Sequence, residues 1–163
     1  MENLALTNFV AAQKVESFIF ICLGFIAILL SIFFLKIIKY SFFKGLAIIL
    51  LLAGSWQITQ GGYTLATCQE AHYQINAAGS IEDHENQHVE QKMITIKIYE
   101  SISIVCFAVG IVLFIIFYKS VQTFWKGIGF GLILQGILLF VLFSVTECRL
   151  ITYKETISNY KAT

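Results

Sequence analysis

Three histidines, a scatter of carboxylates and four cysteines carry whatever side-chain chemistry this 163-residue chain has. The sharpest local pattern is His84-Glu85-Asn86-Gln87-His88, an H-E-x-x-H sequence. On a helix, positions i and i+4 bring both imidazoles to one face, where they can share a zinc ion or another divalent transition metal. Glu85 is then placed as general base toward metal-bound water. A catalytic site needs a third ligand, and a turn at Gly79 would carry Glu70 and His72 back opposite His84 and His88. The pattern is short, however, and a segment rich in His, Glu and Gln meets it readily. A solvated helical face is the commoner meaning of such residues.

The cysteines contain no C-x-x-C, so neither a zinc ribbon nor a thioredoxin-type motif is encoded. Cys68 and Cys148 fall at equivalent outer ends of two apolar stretches. In an oxidising compartment they can form a disulfide, provided their Cα atoms come within about 7 Å. Such a pair resembles, in role only, the exchangeable cysteines of four-helix quinone-linked thiol oxidases, whose closely spaced cysteines are missing here. Cys22 and Cys106 lie inside apolar runs and read as small packing residues. Glu16 and Glu100 sit near the ends of apolar runs. Ionisable groups placed there can stay hydrated or hydrogen-bond to a neighbouring helix. Gln57, Gln60 and Gln135 lie deeper and suit interhelical hydrogen bonding. The Gly127-x-x-x-Gly131 sequence, with Gln135 one turn on, marks a face for close helix approach.

The elements that must position these groups follow from composition. Hydrophobic residues make up 58% of the chain, charged residues 13%, and mean hydropathy is +0.79. A chain of this kind would expose more apolar surface to water than it could bury, so the bilayer is its solvent. Net charge is +1, and no basic face with interleaved aromatics appears, which excludes nucleic acid as a partner class. Four spans of roughly twenty residues or more are predicted. They run over Val15–Ile38, Phe42–Leu65, about Ile98–Tyr118, and Phe124 to about Thr146. Residues Met1–Lys14 read as a short amphipathic lead without the basic n-region or cleavage site of a signal peptide. Proline is absent, which favours straight helices over the broken helices of transporters. No histidine falls within a span, so membrane-embedded bis-histidine haem has no ligands.

Lys36, Lys39 and Lys44 surround one short turn, and Lys119 and Lys126 flank the other. By the positive-inside rule both turns face the cytoplasm. The termini and residues 66–97 then lie outside, which in a Gram-negative bacterium is the periplasmic side of the inner membrane. Tyr40, Tyr118 and Trp125 fall at one boundary and Tyr63 and Tyr99 at the other, as in an aromatic belt.

The chain also looks duplicated. Glu16-Ser17 and Cys22 recur 84 positions on as Glu100-Ser101 and Cys106; Lys44-Gly45 and Gly54 recur 82 on as Lys126-Gly127 and Gly136. Cys68 and Tyr73 recur 80 on as Cys148 and Tyr153. Both copies enter from the same side, so the repeats would be parallel, related by a pseudo-twofold along the membrane normal. The expected fold is an all-α, single-domain integral membrane protein over 1–163. It comprises two helical hairpins, 1–78 and 79–163, with helices 2 and 3 extending into a helical head at 66–97. Ser80 and Asp83 would cap the restart after Gly79.

The expected function is nonenzymatic: an inner-membrane protein that docks a protein partner, or another copy of itself, through the head. An accessory subunit of a membrane complex and an immunity-type protein both fit that description. The alternatives are a metal-binding or zinc-hydrolase site at 84–88 and a thiol–disulfide protein using Cys68 and Cys148.

Overall fold

A computed structural model of the chain consists of four helices: α1 (Glu2–Ile37), α2 (Ser41–Ala77), α3 (Glu82–Ile116) and α4 (Thr123–Lys161). The backbone is described for residues 2–77 and 82–161, and the side chains for 11–67 and 91–152. Each helix contains a stretch long and apolar enough to cross a membrane: Ala11–Ile37, Ser41–Thr67, Gln91–Ile116 and Thr123–Thr152. This is an all-helical bundle consistent with an integral membrane protein.

The amphipathic lead is not a separate element, because α1 starts at Glu2 and runs unbroken into the first apolar stretch. No Gly or Pro interrupts residues 2–23, so nothing stops the helix from continuing outward. At its other end the third span stops at Ile116 rather than Tyr118. There the backbone tightens, with the Tyr118 N–H donating to the Ile115 carbonyl at 3.2 Å. The Ser120 N–H then donates to the Phe117 carbonyl at 3.0 Å, a three-residue closure that ends the α-helical ladder.

Much of the outer surface is apolar, unlike that of a protein in water. Large apolar side chains such as Phe18, Leu29, Ile115 and Ile116 face outward, each more than half exposed. The largest fully buried side chains are Gln57, Ser17, Ser31 and Ser103. Lipid tails are as apolar as leucine, so burying leucine gains little there. Small and hydrogen-bonding residues that let backbones approach share the interior with a few apolar ones, among them Leu46, Leu139 and Phe143.

Helix α1 packs along α2, α3 along α4, and α2 against α4. Glycines set each contact. A Cβ on Gly24 would lie 2.7 Å from the Gly54 carbonyl oxygen, and one on Gly54 would lie 2.8 Å from that of Gly24. Gly110 and Gly129 stand in the same mutual relation between α3 and α4, at 2.9 and 3.0 Å. Between α2 and α4, a Cβ on Gly45 would strike the Phe124 carbonyl oxygen, and one on Gly127 the Phe42 carbonyl oxygen. Ser31 adds a cross-helix bond to the Ala47 carbonyl at 2.7 Å. The α2–α4 contact lies toward the end of the bundle that holds the two tight turns. At the opposite end, which we call the crest end, the helices enclose a cavity instead.

Candidate functional site

The crest-end cavity has a volume of about 310 Å³ and is lined by all four helices. Its floor is aromatic. Tyr99 of α3 stacks on Phe143 of α4 with ring centroids 5.3 Å apart and planes at 21°. Phe20 of α1 tilts against Phe143 at 5.8 Å, and Trp56 of α2 meets the edge of Tyr99 at 5.5 Å. Offset and edge-on pairs of this kind contribute beyond the area they bury. The Gln60 side-chain amide donates to the Tyr99 hydroxyl, tying α2 to α3 and orienting the phenol. Phe143 also belongs to a buried apolar cluster with Ile96, Leu139 and Leu150.

The rim is charged. Arg149 Nη1 donates to Glu16 Oε1 at 3.0 Å, joining α4 to α1 across 133 residues of sequence. Thr146 of α4 and Lys92 of α3 share this rim with Glu16. Among the described residues, three charged side chains line the cavity: the acid Glu16 and the bases Lys92 and Arg149. The wall hydroxyls are largely committed elsewhere. Thr67, Thr95 and Thr146 each donate to the carbonyl four residues back, at 2.8, 2.9 and 3.0 Å. They therefore offer lone pairs, rather than protons, to anything inside.

Of the residues picked out in the sequence, Glu16 lies at this site and Gln60 forms part of its wall. Glu100 does not: its Oε1 accepts a hydrogen bond from Ser144 at 3.3 Å on a different face. Gln57 is buried below the cavity on α2, with its Oε1 unpartnered among the described residues; the same holds for Gln135 Nε2 on α4. Gly127 abuts Phe42, and a Cβ on Gly131 would stand 3.0 Å from that of Ile49, so both lie in the α2–α4 contact.

Cys22 and Cys148 are exposed free thiols, and Cys106 is a half-buried one. Cys68 and the metal-ligand candidates Glu70, His72, His84, Glu85 and His88 have side chains outside the described residues, as does the Gly79 turn with Ser80. Among the described residues no group of three His, Cys, Asp or Glu is placed to hold a metal.

Sequence reasoning missed Arg149, Lys92, Tyr99 and Phe143 as site residues. One signal pointed to the first of these, since Arg149 is the only arginine in the chain and lies just past the apolar run that ends at about Thr146.

No protein-family model, curated protein or solved structure matches this chain. What the cavity and the crest do has to be read from their own chemistry.

Proposed function

We propose that this protein is a nonenzymatic polytopic membrane protein that docks a protein partner through its helical crest. The observation that carries the reading is the overrun of two helices. α2 continues to Ala77, twelve residues beyond Leu65, where its apolar run ends in the sequence, and α3 begins at Glu82, sixteen residues before the run that starts at about Ile98. At 1.5 Å per residue the overruns are about 18 and 24 Å long. A regular helical projection carrying His, Glu and Gln is a surface for recognition.

Lysine placement supports an orientation with both tight turns cytoplasmic and the crest outside, periplasmic if the membrane is a bacterial inner one. The mutual contact of α2 and α4 supports the duplication. Gly45 meets Phe124 and Gly127 meets Phe42, and an 82-residue shift turns each pair into the other. A pseudo-twofold running along α2 and α4 accounts for that exchange.

A photo-crosslinking amino acid at Gln74 or Gln87 of the full chain, in its host membrane, tests the docking. The expected product is a discrete protein adduct from crest positions and none from Val121 in the opposite turn. Equal labelling at both ends overturns the reading.

A second reading has one observation behind it: residues 84–88 lie within α3, so His84 and His88 have the i, i+4 helical spacing that a shared metal needs. Elemental analysis of the purified protein separates the two. Stoichiometric zinc that is lost in His88→Ala favours the metal site, and metal-free protein favours docking alone.

A further inference from the structure

The end of the bundle away from the crest carries an apolar groove that docking at the crest does not use. We propose that it holds one anionic phospholipid of the surrounding bilayer, an acyl chain lying in the groove and the phosphate held at Lys119, with Lys126 beside it.

The groove is built on the end of α3. Phe114, Ile115, Ile116, Tyr118 and Lys119 line a shallow space of about 450 Å³. It opens where the α-helix stops at Ile116 and the backbone tightens into three-residue bonds. Ile115 and Ile116 are each well over half exposed, so the groove continues the lipid-facing side of α3. Phe114 tilts against Tyr118 with ring centroids 6.3 Å apart, and Phe117 stacks on Trp125 at 5.6 Å. That stack brings the start of α4, and Lys126 with it, beside the end of α3. At roughly 30 Å³ per methylene-sized group the space matches about fifteen groups, the size of one acyl chain.

Charge selects the head group. Lys119 and Lys126 have no hydrogen bond or ion pair among the described residues. The sequence contains no Asp or Glu from Ser17 to Gln69 or from Ser101 to Thr146. No carboxylate therefore competes for either ammonium at this end of the molecule. Only six residues separate α3 from α4, so both lysines stay close to the apolar stretches instead of standing away from the membrane. Lipid phosphates are the anions found at that depth, where each lysine contributes about fivefold to affinity for an anionic head group. Tyr118 and Trp125 add amphipathic rings of the kind that settle among head groups.

Ordinary interfacial anchoring would leave these residues indifferent to head-group charge. A diffuse field would weigh all five lysines of the two turns alike. The test separates both from a site. It uses the full chain in phosphatidylcholine vesicles, with Trp56→Phe leaving Trp125 as the sole tryptophan. Trp125 reports on the groove through its stack on Phe117, the neighbour of Tyr118.

Phosphatidylglycerol with brominated chains is added at rising mole fraction, and its quenching of Trp125 is compared with that by brominated phosphatidylcholine. The anionic lipid is expected to reach half-quenching at about a five- to twentyfold lower mole fraction. Lys119→Gln cuts that preference about fivefold, and Lys119→Arg keeps it. Lys36→Gln, on α1, leaves it unchanged. Glycerol phosphate at constant ionic strength does not relieve the quenching, because it has no chain to lie in the groove. Should Trp56→Phe fail to fold, the same comparisons in the parent chain decide, since the Trp56 signal is common to all of them. Equal quenching by the two lipids, an equal loss in Lys36→Gln and Lys119→Gln, or relief by glycerol phosphate each overturns the proposal.

Discussion

Replacing Gly127 with alanine should loosen the contact between α2 and α4, and its cost can be worked from the geometry. The added Cβ would strike the Phe42 carbonyl oxygen, lie 2.8 Å from the Phe42 carbonyl carbon and sit 3.0 Å from the Leu46 nitrogen. Ordinary contact begins near 3.4 Å, so even the carbon falls about 0.6 Å short. All three obstacles are backbone atoms, and backbone in a helix cannot turn aside as the end of a side chain can. The helices must separate, giving up dispersion contacts along the seam. Overpacking of this kind costs about 1–3 kcal/mol, with backbone obstacles pointing to the upper half. Alanine also gains helix propensity over glycine, which partly masks the cost. Gly62→Ala on α2 removes that ambiguity, because a Cβ there meets nothing within 4 Å. Both variants gain propensity, about 0.5–1 kcal/mol, so their difference isolates the steric term. Reversible unfolding of the purified chain in mixed micelles, followed by helicity, measures it. Gly62→Ala should equal or exceed the parent, and Gly127→Ala should fall about 1–3 kcal/mol below Gly62→Ala. Gly45→Ala strikes the same seam from the other side, so the double variant should cost less than the two singles together. Equal stability of Gly127→Ala and Gly62→Ala would refute the close approach.

Three further outcomes follow. Gln57→Met should leave stability unchanged or raise it by about 1–2 kcal/mol, because the buried Oε1 lacks a partner among the described residues and a thioether of similar length removes that burden; a clear loss of stability in the same unfolding assay would show that Gln57 is satisfied in the membrane. Glu16→Gln should change stability by less than about 1 kcal/mol, since Arg149 is half exposed and a solvated pair contributes little; a larger loss would mean the pair is sealed from water. Cys148 is exposed and lies toward the crest end, so a membrane-impermeant maleimide should modify it from outside in whole cells. Labelling only after reduction would reveal a bridge to Cys68, and labelling only in inverted vesicles would reverse the topology.

The helical architecture was legible because four apolar runs of such length have no other stable form in a bilayer, where every backbone N–H and C=O must be satisfied within its own segment. Boundaries were less legible. Nothing in the apolar pattern marks where Met1–Lys14 joins the first span, because the helix continues on backbone propensity after hydrophobicity has faded. Residues Phe117 and Tyr118 are as apolar as the helix before them, and only the local change of hydrogen-bond partner ends α3 at Ile116. The cavity was hardly legible at all. Glu16 and Arg149 are 133 residues apart, and their meeting depends on how α1 and α4 are set around the α2–α4 seam.

That seam also explains why the two ends of the bundle differ. Near the tight turns, Gly45 and Gly127 allow α2 and α4 to touch backbone to backbone, leaving no room for a cavity between them. About three to four turns further on, α2 and α4 carry Trp56, Gln60, Leu139 and Phe143, whose bulk holds the helices apart. Rings of that size cannot fill the widening space completely, and the charged rim keeps apolar side chains from folding over it. The duplication would supply two equivalent sites, but the charges break the equivalence: Glu16 meets Arg149 on α4, whereas Glu100 accepts from Ser144 and has no arginine. The only arginine of the chain lies on one side, so Glu16 has a guanidinium partner that Glu100 lacks.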